Sequence, residues 1–169
     1  MGSQIAMLGA LAGIRTRLHD ISEEQLEAAI ASNRKHMQRR VDKGKMSADE
    51  MDAAFGRLTT STDLTAAATG ADFVINMVQI GGFGSTLVDF EIPRKYGLKF
   101  TIADTTGPGG LFRALRTYPL MKGLVQDMAE VCPNAVLLNY SNPMSMNMQS
   151  VFRTRPDMQA VGLCHSVQG

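Results

Sequence analysis

Short β-type runs alternate with longer helical patterns along the whole chain, and nothing else in the sequence limits its fold so strongly. Such alternation is best satisfied by a parallel sheet with helices on its faces. The β-type runs fall at residues 14–19, 72–77, 100–103, 135–139 and 159–163. Helical patterns cover about residues 2–12, 22–42, 47–55, 86–96 and 111–131, and another follows Asn142-Pro143. Ser22 and Ser47 are placed as N-caps, and Gly44 and Gly97 as stops. Gly81, Gly82 and Gly84 read as a flexible turn, as does Gly107-Pro108-Gly109-Gly110. A strand over residues 4–8 with a turn at Gly9 is the alternative for the start, but it leaves no room for a helix before residue 14.

Bulk properties exclude several classes. A length of 169 residues favours one domain. Seventeen Lys+Arg stand against sixteen Asp+Glu, so no basic field invites nucleic acid. Arg34, Lys35, Arg39 and Arg40 form a local basic cluster, which reads as a solvated helix face. Twelve Met and no Trp point to methionine filling the core. Cys132 and Cys164 make no disulfide framework and suit a reducing, cytoplasmic setting. No apolar run approaches the roughly 20 residues of a membrane span, and no signal peptide is expected.

In open parallel sheets, chemistry gathers at the carboxyl ends of the strands. Here those ends carry Asp20, residues 76–82, residues 104–110, residues 139–143 and Cys164-His165. Polar, glycine-rich and metal-capable residues thus concentrate on one edge of the sheet.

The first 75 or so residues resemble the NAD-binding domain of 3-hydroxyacyl-CoA dehydrogenases. The likeness rests on Met1-Gly2-Ser3-Gln4-Ile5-Ala6, Ala12-Gly13, Asp20, Ser22-Glu23-Glu24, Lys43-Gly44-Lys45 and Thr62-Asp63-Leu64. It implies that Gly2 matches the third glycine of G-x-G-x-x-G and that Asp20 bonds the adenosine ribose. The first strand and first two glycines of that pattern have no counterpart. A Rossmann-like doubly wound sheet lacking its usual first strand is therefore expected, as two half-sheets with unpaired edges, and self-association with it. That family's catalytic His–Glu pair has no match.

Residues 71–169 resemble glycoside hydrolase family 4, close to its α-galactosidase and α-glucosidase branch. The motifs are Asn76-Met77-Val78-Gln79-Ile80-Gly81-Gly82, Asp89-Phe90-Glu91-Ile92-Pro93, Ala103-Asp104-Thr105-Thr106-Gly107-Pro108-Gly109-Gly110, Phe112-Arg113-Ala114-Leu115-Arg116-Thr117, Asn139-Tyr140-Ser141-Asn142-Pro143-Met144 and Gly162-Leu163-Cys164-His165. The resemblance implies tightly held NAD, a divalent cation such as Mn2+, and hydrolysis by oxidation, elimination, addition and reduction. It makes Cys164 a metal ligand, Asn142 and His165 substrate contacts, and Asp104 a candidate catalytic residue. It also makes Asn76, Gln79, Gly81 and Asn139, with Gly2 and Asp20 from the first half, the cofactor's surroundings. Asn142 could instead cap the helix after Pro143. Family members that hydrolyse 6-phosphoglycosides carry an Arg where this chain has Thr86, so an unphosphorylated α-glycoside is the expected substrate.

Dehydrogenase-like and glycosidase-like motifs meet somewhere in residues 58–73. A natural fusion, deliberate recombination and a truncated gene model all fit that join. The family's second metal ligand and catalytic base would lie beyond Gly169, so weak NAD binding and little turnover are expected of this stretch alone. The competing classes are a cofactor-binding module without turnover and an acyl-CoA dehydrogenase relative.

Overall fold

The computed structural model describes residues 2–99 and 105–164. Its elements in chain order are α1 (Gly2–Leu11), β1 (Thr16–His19), α2 (Glu23–Asp42), α3 (Ala48–Arg57), β2 (Leu58–Ser61) and α4 (Leu64–Ala68), then β3 (Phe73–Asn76), α5 (Gly82–Lys95), α6 (Gly107–Val131), β4 (Val136–Asn139), α7 (Met144–Thr154) and β5 (Ala160–Gly162). The chain divides into two compact units, Met1–Thr69 and Gly70–Gly169. The α/β class read from the sequence is the class observed, and every strand pair is parallel. Two sheets form among the described residues, as expected.

In the first unit β1 pairs with β2, from Thr16 opposite Leu58 to His19 opposite Ser61. The core is Ala6, Met7, Ala10, Ala54 and Leu58, with Leu11, Leu18, Ile30, Met37 and Phe55 against it. Helix ends here are finished locally. The Ser22 hydroxyl accepts the Gln25 N–H at the start of α2. Ser47 and Glu50 form a reciprocal capping box on α3. Asp63 caps α4, and Arg17 donates to the carbonyls of Ala66, Ala67 and Thr69 at its far end. Arg34 lies 4.4 Å above the Phe55 ring, so part of the basic cluster is spent on a cation–π contact.

In the second unit the strand order is β3-β4-β5, with Phe73 opposite Val136 and Asn139 opposite Gly162. Met121, Val125, Met128, Leu137, Met148 and Val151 are buried, which bears out methionine as core material. Burial pushes the Cys132 thiol above its usual range. Helix α5 reverses the usual pattern. It buries Asp89 and Pro93 and exposes Phe83, Leu87, Val88 and Ile92, with Tyr96 exposed at its C-cap. Asp89 forms a two-pronged ion pair with Arg116 of α6, one arm 2.9 Å long, which holds the guanidinium's proton more tightly than usual.

Several sequence expectations are corrected. Residues 4–8 are helical, within α1, so the expected first helix stands and the alternative strand there falls. Gly82 and Gly84 belong to α5; Gly81, with φ 78°, serves as its N-cap, and Gly82, with φ 56°, shares the left-handed turn. Gly107 to Gly110 form the first turn of α6, where Pro108 costs no hydrogen bond. Pro143, not Asn142, is the N-cap of α7, and no side chain caps that helix. Strand β2 and helix α4 went unread. The expected strand at residues 100–103 lies outside the described residues.

Candidate functional site

The carboxyl ends of β3 and β4 are joined by buried side-chain amides. Asn76 and Asn139 sit opposite one another in register. The Asn76 Nδ2 donates to Asn139 Oδ1 at 2.9 Å and to Met121 Sδ at 3.2 Å. Its own Oδ1 accepts the Val78 N–H, which turns the chain away from the strand. The arrangement repeats one strand over, where Asn139 Oδ1 accepts the Ser141 N–H. Both asparagines are buried, so each bond replaces one that water can no longer supply.

Ser141 is the hub of the next layer. Its carbonyl accepts from Asn139 Nδ2 at 3.1 Å and from Asn147 Nδ2 at 3.0 Å. Its hydroxyl donates to the Val78 carbonyl at 2.9 Å. Asn142 follows, half-buried, and Arg113 Nε of α6 donates to its carbonyl. The Asn142-Pro143 peptide is cis. On the neighbouring strand the Leu163 N–H donates to the Asn139 carbonyl, and Cys164 comes next, half-buried. Adjacent strands lie about 4.8 Å apart. Register alone therefore brings Asn142 and Cys164 to the same end of neighbouring strands.

Beyond β3, Gln79 Nε2 donates to the Gly82 carbonyl and to Thr86 Oγ1 at 2.8 Å, spanning the start of α5. A Cβ at Gly81 would sit 1.9 Å from Ser85 Oγ, whereas Gly82 and Gly84 face open space. Near the start of α6, a Cβ at Gly110 would lie 2.7 Å from the Thr105 carbonyl carbon. On β5, a Cβ at Gly162 would lie 2.5 Å from Met144 Sδ.

Asn76, Gln79, Gly81, Asn139, Asn142 and Cys164 thus all belong to the second unit, at or just past its strand ends. Asp20 belongs to the first unit, where its Oδ1 accepts the Ser22 N–H at 3.0 Å and turns the chain into α2. Gly2 opens α1. The helix approaches β1 closely at Gly9, whose Cβ would stand 3.0 Å from Thr16 Oγ1. Asp104 and His165 lie outside the described residues, among which no three His, Cys, Asp or Glu side chains form a metal-sized group. No described helix is long and apolar enough to cross a membrane. Ser141 and Asn147 were missed. The available signal was Asn147 itself, a polar residue at the spacing of the buried stripe Met148 and Val151.

The profile of the family 4 glycosyl hydrolases matches residues 1–169. The chain belongs to that family. An α-galactosidase of Bacillus subtilis (strain 168) is 50% identical over 107 residues, which are 63% of this chain and 24% of that protein. The chain therefore spans about a quarter of the length of the curated relatives it matches. Among solved structures, a 6-phospho-α-glucosidase from gut microorganisms, in complex with NAD and Mn2+, superposes with TM-score 0.72 at 23% identity, covering 96% of this chain and 35% of that one. The 3-hydroxybutyryl-CoA dehydrogenase of Escherichia coli K12 gives 0.58 at 25% identity, over 87% and 24%. The fold is the Rossmann-like one of these neighbours, and both resemblances seen in the motifs have structural counterparts. The family match takes in the dehydrogenase-like first 70 residues as well.

Proposed function

We propose that this chain is the NAD- and divalent-metal-handling part of a family 4 glycosidase that cleaves O-glycosidic bonds in unphosphorylated α-glycosides. The observation that carries this reading is the placement of Asn142 and Cys164 just past the ends of the adjacent strands β4 and β5. The open space before Gly82 and Gly84 gives a dinucleotide close access to the main chain at the start of α5. When bound, the nicotinamide and a divalent cation such as Mn2+ supply reversible oxidation of the sugar and polarisation of its oxygens. Cys164 would hold the cation through sulfur. Asn142 would donate to and accept from sugar hydroxyls. Asn76, Gln79, Gly81 and Asn139 would shape the cofactor's bed, and the family resemblance makes Asp104 and His165 candidate catalytic and substrate-contact residues. Thr86, held by Gln79, offers no cation to a sugar phosphate. The edges of the β1-β2 and β3-β4-β5 sheets left unpaired among the described residues favour a homo-oligomer. The thiols suit a cytoplasmic, reducing setting.

A second reading is a cofactor-binding module without turnover. Calorimetric titration of NAD and of Mn2+ into the chain tests both. Saturable binding of each is expected, with Cys164→Ser weakening Mn2+ by more than about tenfold. No NAD binding at millimolar concentration refutes both readings. Release of p-nitrophenol from its α-galactoside with NAD and Mn2+ present separates the glycosidase from the module.

A further inference from the structure

Ser141 does more than end a loop. Its N–H and carbonyl are tied to Asn139, its carbonyl also to Asn147, and its hydroxyl to Val78. Asn147 reaches it from α7 and is 1% exposed. Val78 precedes Gln79 and Gly81, while Ser141 precedes Asn142. One buried set of bonds therefore joins the segment after β3 to the segment after β4. A hydrophobic core would be served as well by leucine at position 147. The amide earns its burial only by holding main chain that no sheet ladder holds.

We infer that Ser141 and Asn147 are positioning residues that lock the cofactor-side segment after β3 to the sugar-side residue Asn142. The inference rests on the functional reading above for what those two sides bind. The bond pattern alone says that they are locked.

NAD binding to the whole chain tests it, using Ser141→Ala, Asn147→Leu and a matched control, Val151→Ala. Val151 is fully buried one turn beyond Asn147 and has no polar atom to offer. Loss of one buried hydrogen bond corresponds to about a tenfold effect. Ser141→Ala and Asn147→Leu should each weaken NAD about tenfold, while Val151→Ala lowers the melting temperature but keeps affinity within about twofold. An equal loss of affinity in Val151→Ala would overturn the inference, since stability alone would then explain it. If the parent binds no NAD, the functional reading has failed and hydrogen exchange decides the lock. Ser141→Ala should speed exchange at residues 77–80 about tenfold and leave residues 121–128 unchanged. Unaltered exchange at residues 77–80 would sink it.

Discussion

Helices α2 and α5 each bury only two residues, and they treat water oppositely. Helix α2 buries Leu26 and Asn33 and turns Glu23, Glu27, Lys35 and Arg39 outward. Helix α5 buries a carboxylate and turns four large apolar side chains outward. The first is a finished surface that needs only solvent. The second spends its charge on an internal ion pair and leaves hydrocarbon exposed. Sequence rules are most often broken where a protein does something besides fold. In this chain they are broken most in the second unit, which also holds the paired buried amides Asn76 and Asn139 and the two strand-end residues Asn142 and Cys164. The first unit breaks them at fewer places, exposing Leu8, Ile14 and Ile21 and burying Asn33.

That contrast can be broken by substitution. Asp89→Ala should have the largest effect, because it leaves Arg116 without its carboxylate partner. A fully buried pair broken this way loses about 3–5 kcal/mol, and the 30% exposure of the Arg116 side chain lowers the expectation to about 2 kcal/mol. Denaturant unfolding gives the value. Deuterium uptake should rise over residues 82–95 and stay unchanged over residues 23–42. A loss below about 0.5 kcal/mol would mean that α5 is anchored by other means.

Ser47→Ala should come next, at about 1 kcal/mol by the same measurement, for loss of the α3 cap. Glu50, the other half of that box, is held below its ordinary carboxylate value of 4.5, first by the Ser47 N–H and then by its hydroxyl. A carboxylate lowered on folding adds stability above its unfolded pKa and loses it as acid titrates the folded form. Glu50→Gln should therefore flatten the acid limb of the stability profile, and an identical limb would exclude the box as its source.

Arg34→Ala should be smallest, about 0.5 kcal/mol, for an exposed cation over Phe55. It sharpens the contrast from the other side. A loss as large as that of Asp89→Ala would show the first unit to depend on one polar contact as much as the second does.

The sequence made the first unit's framework legible because its signals are local. Ser22 and Ser47 mark the starts of α2 and α3 through side-chain bonds to residues three positions on. Strand β2 was not legible, since Leu58 is its sole apolar residue and no alternation shows. Helix α4 is five residues long and ends on a guanidinium from β1, a partner some 50 positions away in sequence. Gly82 and Gly84 looked like breakers because glycine's intrinsic cost in a helix is real, about 1 kcal/mol, yet both fall in the first turn of α5, directly after its Gly81 cap. At the site, strand ends and motif spacing pointed to Asn76, Asn139, Asn142 and Cys164. Ser141 and Asn147 stayed hidden because their roles are set by bonds across 63 and six positions that only the folded chain closes.

Two of the tightly packed glycines, Gly110 and Gly162, carry different evolutionary freedom. What crowds position 162 is a pair of thioether side chains, Met144 and Met148, which can swing aside. What crowds position 110 is the main chain of Thr105, which cannot. Over long divergence, alleles at the former can accumulate with small adjustments nearby, while at the latter any heavier side chain levers the whole preceding segment out of place.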